Sequence, residues 1–459
     1  MDKTQHIDPN RTLMSGDMNR TMAVPGLDLN RTMAVTVNPS TPGIAVNVTP
    51  GREATMANGP ASESFLLEIA AGQESGGLPG MAVSGARTPL NLCLCIDRSG
   101  SMEGAPLEYV KQACAHVVDM LSGNDVLSIV TFEEVVEVLM PPQRVTNRQA
   151  VKDGIARIQP GNTTNIYDAL NMSLQQLRSH VEGQRATRMV VLSDGDPTAG
   201  VKDYSALTEL AGQIKDEGIT ITFLGFGPDY NEELLAGMAK RASGNYYYIE
   251  QPQLIPEIFR VELEKLLSVA AQNLTLEVEM ARWVSLRRAS GVSSVPTGSK
   301  VTIPLTDLER GMTMQQVLAF DFQNHPLGWY RVAAARLHFD NVQTGQRDTR
   351  EFDLIMEFTA DAAKYSAPVN PMVQQADSIA AASRVVEKTI MGLKTGQITV
   401  MGALDELQKT QMMLVNQGRA DEAREVTVAM NALKSGNTGG AEKTLMGTMV
   451  NLDQGKTSK

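Results

Sequence analysis

The chain is poor in the side chains on which most metalloenzymes and secreted scaffolds depend. Its 459 residues include three cysteines and five histidines. The histidines show no HExxH or other ligand spacing, and no GxxxxGKS or GxxxxGKT loop is present to hold a nucleotide. Cys93 and Cys95 stand two apart on one apparent strand and Cys114 lies in a helical stretch, so we expect three buried free thiols. These absences argue against a zinc enzyme, a P-loop nucleotidase and a disulfide-linked scaffold.

Two further features are missing: an excess of basic residues and a long apolar run. The chain has 41 Lys and Arg against 52 Asp and Glu, a net charge of -11, which does not suit a phosphate-binding surface. No window approaches the roughly 20 apolar residues that cross a bilayer, and the N-terminal sequence MDKTQHIDPNRTLM lacks a hydrophobic signal core. We therefore expect a cytoplasmic protein with no membrane span and no nucleic-acid partner.

The N-terminal segment has a composition of its own. Residues 1–60 are rich in Thr, Asn, Pro, Gly and Met without a sustained apolar period, which predicts a disordered tail. The sequences DPNRTLM, DMNRTMAV and DLNRTMAV within it repeat the pattern D-x-N-R-T. The repeat places three threonines in nearly equivalent contexts: Thr12, Thr21 and Thr32.

Between residues 89 and 268, short apolar runs typical of strands alternate with helical patterns. The runs NLCLCID, VLSIVTF, RMVVLSD and ITITFLGFG are separated by sequences of helical period, such as LEYVKQACAHVVDML. This alternation predicts right-handed crossovers and a mostly parallel sheet covered by helices on both faces. The predicted fold class is α/β, a doubly wound, Rossmann-like sheet.

The flanking segments show other periods. The segment 61–88 contains a strand and a linker, and the strand is a candidate member of a later sheet. Residues 269–366 alternate apolar and polar side chains, as in LTLEVEM, which predicts an antiparallel β-sandwich. Helical spacings over 372–435 predict a helical hairpin or a three-helix region, and 436–459 reads as a flexible tail.

Polar side chains collect where two strands of the predicted parallel sheet end. Asp97 ends the first strand, and Asp194 ends the fourth. Since strand order in doubly wound sheets commonly reverses between these two strands, both carboxylates belong to one crevice. Ser99 and Ser101 follow Asp97, and Thr164 precedes a predicted helix. Carboxylates and hydroxyls are hard oxygen donors, which suit Mg²⁺ or Mn²⁺.

These motifs resemble the metal-ion-dependent adhesion site of von Willebrand factor type A domains. The resemblance rests on DRSGS (97–101), TNIYDAL (164–170) and SDGDP (193–197), which occur in the family's order and spacing. It implies that Ser99, Ser101 and Thr164 bind the metal directly, whereas Asp97 and Asp194 bind it mostly through water. Beyond residues 89–268 the chain is more weakly similar to intracellular bacterial proteins of this family and, distantly, to inter-alpha-trypsin inhibitor heavy chains.

The resemblance implies a non-enzymatic scaffold for protein–protein interaction, whose metal ion grips an exposed Asp or Glu of a partner. Two alternatives stay open. One is an adaptor subunit of an ATPase complex that docks through the C-terminal helices. The other is a hydrolase in which the metal and Asp194 or Asp196 activate water. Arg98, at the variable position, is expected either to guide an acidic partner or to pair with Glu103.

The repeated threonines suggest a second kind of interaction. Each follows an arginine, and Val24 and Val35 stand three residues after Thr21 and Thr32, a spacing that resembles the phosphothreonine ligands of forkhead-associated (FHA) domains. Thr444, in EKTLMGTM, faintly repeats the theme. We therefore expect a Ser/Thr kinase and an FHA-domain protein among the partners, with idle low-complexity sequence as the competing interpretation.

Overall fold

The computed structural model describes residues 33–34, 44–71, 87–181, 184–193, 196–226, 230–292 and 298–458. Its first elements are four strands, β1 Met33–Ala34, β2 Ile44–Pro50, β3 Ala54–Met56 and β4 Ala61–Ala71. The prediction of a disordered tail up to residue 60 is therefore wrong for β2 and β3. Ile44, Val46 and Val48 alternate along β2 and are buried, a run too short to register as a sustained period in the sequence.

The α/β unit follows. In chain order its elements are β5 Leu90–Asp97, α1 Ala105–Met120, β6 Val126–Phe132, β7 Val136–Arg144, α2 Arg148–Ala156, α3 Ile166–Arg178, β8 Ala186–Ser193, α4 Tyr204–Asp216, β9 Thr220–Phe226, α5 Glu232–Arg241, β10 Tyr246–Ile249 and α6 Ile255–Leu267. The strand order is β10-β9-β8-β5-β6-β7. Every neighbouring pair is parallel except β6 with β7. The predicted α/β fold class is confirmed.

Strand β5 lies at the centre of this sheet and is buried at all eight positions. Leu92 and Leu94 pack toward α1 and α6, whereas Cys93 and Cys95 pack toward α3, α4 and α5. All three cysteines are free and buried, as predicted. Burial raises the pKa of the Cys93 thiol to about 11 and that of Cys114 to about 12, so these thiols stay protonated.

Two sheets form the β-sandwich. Its later strands are β11 Val269–Met280, β12 Val284–Ala289, β13 Lys300–Pro304, β14 Leu308–Glu309, β15 Met312–Phe322, β16 Gly328–Asn341 and β17 Gln346–Thr359. One sheet has the order β1-β2-β4-β15-β12, and the other has the order β13-β11-β16-β17-β3. All of their described strand pairs are antiparallel except β17 with β3. Alternate apolar side chains from both sheets, such as Phe65, Leu276, Phe320 and Leu354, form one core.

The α/β unit is inserted between strands of this sandwich. Strand β4, which precedes the unit, pairs with β15, which follows it, from Ala61 opposite Phe322 to Ala70 opposite Thr313. The early strand is thus a member of the sandwich. The chain therefore leaves the sandwich to form the α/β unit and then returns to the sandwich.

The C-terminal region contains more ordered helix than predicted. Its elements are α7 Ala362–Tyr365, α8 Pro371–Lys394, α9 Val400–Asn416, α10 Ala420–Lys434, α11 Thr438–Gln454 and β18 Lys456–Ser458. Residues 436–459 were expected to form a flexible tail, but α11 buries Ala441, Leu445 and Leu452, and β18 pairs with β15. The Thr-, Gly- and Met-rich composition of α11 obscured its helical period.

The helices pack on each other and on both other parts of the protein. Val386, Leu407 and Leu445 belong to the same core as Leu234 of α5. At the other end, Val373 and Ala376 of α8 pack on Leu66 and Val317 of the sandwich. Among the described helices, none is both long and apolar enough to cross a membrane.

Candidate metal centre

The switch point of the parallel sheet lies between β5 and β8. These neighbouring strands run parallel, and the chain leaves β5 toward β6 on the opposite side, so the loops at their carboxyl ends diverge. Asp97 is the last residue of β5, and Ser193 is the last residue of β8. The ends of these two strands therefore lie at one edge of the sheet, whereas the predicted juxtaposition of Asp97 with Asp194 stays a prediction. Asp194 lies outside the described residues.

Asp97 is completely buried at this edge, and its carboxylate is held in place from two sides. One oxygen accepts the backbone N–H of Ser99 at 2.8 Å, and the other accepts the Ser193 hydroxyl at 2.7 Å. Both contacts need an acceptor, which fits the ionised carboxylate. Ser193, which the sequence reasoning did not place among the functional residues, thus orients Asp97.

The two serines of the DRSGS motif lie side by side. Their Oγ atoms are 3.2 Å apart, with Ser99 buried and Ser101 exposed. Adjacent ligands of an octahedral Mg²⁺ at about 2.1 Å from the metal are about 3.0 Å apart. The spacing of these hydroxyls therefore suits neighbouring positions around one such ion, at the protein surface.

Backbone hydrogen bonds fix the DRSGS loop to the loop that carries Thr164. The Gly161 N–H donates to the Arg98 carbonyl at 2.5 Å, and the Gly100 N–H donates to the Asn162 carbonyl at 3.3 Å. An added Cβ at Gly161 would lie 2.7 Å from Glu133 Cγ, so a larger residue there would have to displace the Glu133 side chain. The structure thus brings Asp97, Ser99, Ser101 and Thr164 to the same edge of the sheet.

A third loop, after β8, is hydrogen-bonded to the loop that carries Thr164. The Thr164 N–H donates to Thr198 Oγ1 at 2.8 Å, and the Thr164 carbonyl accepts the N–H groups of Thr198 and Ala199 at 3.0 and 3.2 Å. Gly200 has φ +66° and packs against Asn165, the N-cap of α3. Sequence reasoning missed Thr198, although a hydroxyl two residues before a glycine in a loop at this edge was a usable signal.

Arg98 forms ion pairs with two glutamates next to these loops. Its Nη2 lies 3.5 Å from Glu133 and 3.4 Å from Glu137, so the alternative in which Arg98 pairs with Glu103 is wrong. Glu133 follows β6, and Arg98 follows the neighbouring strand β5. The two side chains are close because these strands are adjacent in the sheet, although the residues are distant in sequence. A hydrogen bond from the Glu134 N–H, and then a hydrogen bond from the Asn162 N–H and the positive charge of Arg98, lower the pKa of Glu133 against the effect of burial.

The donors at this edge fit a hard cation. The buried Thr163 Oγ1, next to Thr164, has no hydrogen-bond partner among the described residues, and it is not one of the predicted ligands. Among the residues that the structure describes, no group of three or more His, Cys, Asp or Glu side chains is placed to hold a metal. The Asp97 carboxylate and the hydroxyls of Ser99, Ser101 and Thr164 are hard oxygen donors, the kind that hard divalent cations prefer.

The predicted phosphorylation sites have a different placement. Thr12, Thr21 and Thr32 lie outside the described residues. Thr444 lies within α11 and donates its hydroxyl to the Gly440 carbonyl at 2.9 Å. It belongs to a packed helix and not to the flexible tail on which its prediction depended.

Comparison with known proteins identifies the α/β unit. Residues 91–261 match the family model of the von Willebrand factor type A domain. The match covers the strands and loops that carry Asp97, Ser99, Ser101 and Thr164. It confirms the predicted resemblance to von Willebrand factor type A domains, whereas the metal-ion-dependent adhesion site stays a prediction.

Three similar proteins extend the comparison beyond that domain. An uncharacterized protein of Synechocystis sp. is 31% identical over 260 residues, which cover 57% of this chain and 60% of that protein. The structure of a von Willebrand factor type A protein from Catenulispora acidiphila aligns with a TM-score of 0.67 at 16% identity, over 86% of this chain and 91% of the other. The ArnB paralog VWA2 from Sulfolobus acidocaldarius aligns with a TM-score of 0.60 at 16% identity, over 89% and 98%. These structures share the fold of most of the chain.

Proposed function

We propose that the carboxyl edge of the type A domain binds Mg²⁺ or Mn²⁺ and uses it to hold an acidic side chain of a partner protein. Ser99, Ser101 and Thr164 would bind the metal directly, and Asp97 and Asp194 would act mostly through water. The observation that carries the proposal is the pair of hydroxyls 3.2 Å apart beside a buried, doubly hydrogen-bonded carboxylate.

The chemistry of this donor set favours adhesion over catalysis. Neutral hydroxyls leave most of the metal's charge uncompensated, and an incoming Asp or Glu supplies the missing negative charge. Hydrolysis would need a base or a nucleophile placed beside the metal, and Asp196, a candidate base, is exposed to solvent. The role that fits is a non-enzymatic scaffold for protein–protein interaction.

We expect metal-dependent capture of partners from a lysate. The wild-type protein should retain a set of proteins in Mg²⁺ that is lost in EDTA and lost on the Asp97→Ala variant, because both changes remove the metal. Mass spectrometry of the bound fractions measures this. Glu103→Ala is the matched control, since Glu103 is an exposed carboxylate next to the site and outside the ligand set. Identical sets in all four samples would show that the metal edge is not the binding surface.

The N-terminal repeats support a second, phosphorylation-dependent contact. A phosphate on Thr12, Thr21 or Thr32 would add about -1.5 to -2 charges and three acceptor oxygens beside an arginine, which FHA-type arginine clusters bind. We expect intact-mass analysis of the native protein to show one to three added phosphates on these threonines. Their absence under several growth conditions would remove this part of the proposal and leave the metal site untouched.

A further inference from the structure

Helix α9 has an apolar outer face. Among the large apolar side chains that are exposed in the described part of the chain, three of the five most exposed belong to this helix: Met401 at 76%, Met412 at 58% and Val415 at 53%. Its inner face, which includes Leu407 and Leu414, is buried in the core that the helices share with the α/β unit. The outer side chains do not contribute to that core, and a row of exposed apolar side chains indicates an interaction surface.

The outer apolar residues form one stripe along the helix, and the stripe is symmetric about Gln408. The half-buried Leu404 stands four residues before Gln408, and Met412 stands four residues after it. Met401 and Val415 stand seven residues before and after it. At 3.6 residues per turn, all four side chains lie within about 40° of the direction of Gln408. The apolar positions therefore have the same spacing when the helix is read in either direction.

A symmetric stripe of this kind matches a second copy of itself. Two α9 helices that are related by a two-fold axis at Gln408 run antiparallel. Met401 of one copy then lies opposite Val415 of the other, and Leu404 lies opposite Met412. Helices pack at about 8–10 Å, a gap that side chains of this size fill. In such a two-fold interface the same surface serves both subunits, which is the commonest arrangement of protein dimers.

The charges beside the stripe favour the antiparallel orientation. Lys409 pairs within its own helix with Asp405 at 2.8 Å and with Glu406 at 3.1 Å, and all three side chains are exposed. Asp405 and Lys409 lie on the same side of the stripe. In the antiparallel dimer, Lys409 of one copy lies about 3 Å along the helix axis from Asp405 of the other, so each lysine gains a second carboxylate. In a parallel dimer the two-fold axis places these residues on opposite sides of the stripe, and the pair cannot form.

We infer that the outer face of α9 is the interface of a homodimer, in which two α9 helices pack antiparallel about Gln408. The occupant of this face is a second copy of the chain. One pair of 17-residue helices buries a small area, so the dimer is expected to form at micromolar concentration. A dimer would present two α/β units to one binding partner and raise the avidity for it. That consequence rests on the function proposed above, whereas the dimer does not.

Sedimentation equilibrium of the full chain from about 1 to 100 μM tests the interface. The wild type is expected to change from monomer to dimer over this range. Met412→Glu should raise the dissociation constant at least about tenfold, because it buries a carboxylate against Leu404 of the other copy. Leu327→Glu is the matched control, since Leu327 is 55% exposed and lies between β15 and β16, away from the helices. It should leave the dissociation constant unchanged, and both variants should unfold at the wild-type temperature.

An exchange of charges tests the antiparallel orientation. Lys409→Glu and Asp405→Lys each place like charges at both contacts of their own homodimer, so at low salt each should raise the dissociation constant about five- to tenfold. In an equimolar mixture, a dimer of one Lys409→Glu chain with one Asp405→Lys chain has opposite charges at both contacts. Sedimentation with one of the two variants fluorescently labelled should show this mixed dimer at about the wild-type affinity. An effect within one chain cannot explain the recovery, because each variant lacks its own Asp405–Lys409 pair in the mixture as well.

A chain that stays monomeric over the whole concentration range overturns the inference. A dimer that Met412→Glu weakens no more than Leu327→Glu also overturns it, because the contact then lies elsewhere on the surface. A dimer that is lost in Met412→Glu but does not recover when the two charge variants are mixed refutes the antiparallel arrangement. All samples contain EDTA, which excludes association through a metal, so a failure here is distinguishable from a failure of the proposed adhesion site.

Discussion

Replacing Arg188 with methionine is expected to lower the free energy of unfolding by about 3–5 kcal/mol, because it leaves a buried carboxylate without its main partner. Arg188, on β8, is 1% exposed, and its guanidinium pairs with Asp307, which is 7% exposed. Asp307 also accepts the Asn273 N–H at 3.1 Å and the Thr220 hydroxyl at 3.2 Å. The network joins the α/β unit to the sandwich, and equilibrium urea unfolding at pH 7 measures its contribution.

The pH dependence of this loss has a definite sign. Burial raises the pKa of Asp307, but Arg188, Lys215 and Lys456 together outweigh it, so the pKa lies below the ordinary value of 3.8. A lowered pKa in the folded state contributes stability above the unfolded pKa and loses it as the pH falls through the folded one. In Arg188→Met, the pKa of Asp307 rises and protonation relieves the buried charge. The stability difference between the wild type and the variant should therefore shrink as the pH is lowered from 7 to about 4.

The same substitution at an exposed arginine is the control. Arg260, on α6, pairs with Glu257 and Glu264 in solvent, so Arg260→Met is expected to leave the unfolding midpoint nearly unchanged. If Arg188→Met lowers the free energy of unfolding no more than Arg260→Met does, the buried pair does not stabilise the contact between the α/β unit and the sandwich.

The second large effect is expected at the metal edge. Thr164→Val removes one hydroxyl, keeps the shape of the side chain, and leaves the backbone contacts of Thr164 with Thr198 in place. Groups that only orient a metal ligand contribute about 10–100-fold to affinity, and loss of a ligand should cost at least as much. Titration of the full chain with Mn²⁺, followed by electron paramagnetic resonance, measures the change.

Thr163→Val is the matched control for that titration. Thr163 is the neighbouring threonine in the same loop, and its buried hydroxyl has no partner among the described residues. We expect wild-type Mn²⁺ affinity and unchanged thermal unfolding for this variant. A loss of affinity in Thr163→Val with none in Thr164→Val would exchange the roles of the two threonines and refute the proposed ligand set.

The fold could be predicted where local pattern and burial agree. The strands of the parallel sheet are continuous apolar runs because both of their faces are covered, and β11 alternates because one face is less buried. Strand β2 escaped prediction because three buried side chains in seven residues do not stand out from a Pro- and Thr-rich background. Helix α11 escaped because its weakly apolar side chains are stabilised by packing on the rest of the chain, which a sequence window does not contain.

The site was predicted only as far as its motifs reach. Asp97, Ser99, Ser101 and Thr164 lie in recognisable short sequences, and strand order brings them to one edge. The supporting contacts of Ser193 and Thr198 could not be predicted, because they join loops that are distant in sequence. The pairing of Arg98 with Glu133 has the same origin, since it depends on which strand lies next to β5.

The insertion of the α/β unit has a mechanical consequence. The metal edge lies at the carboxyl ends of the parallel strands, whereas the chain enters before Leu90 and leaves after α6, at the opposite end of β5. There the two connections are hydrogen-bonded to each other, with the Thr88 hydroxyl donating to the Val269 carbonyl at 2.7 Å and the Thr88 N–H donating to the Leu267 carbonyl at 3.1 Å. A partner that pulled on the proposed metal site would therefore apply force to these two hydrogen-bonded connections along the strand direction. That force would reach the sandwich through both connections and through the buried ion pair between Arg188 and Asp307.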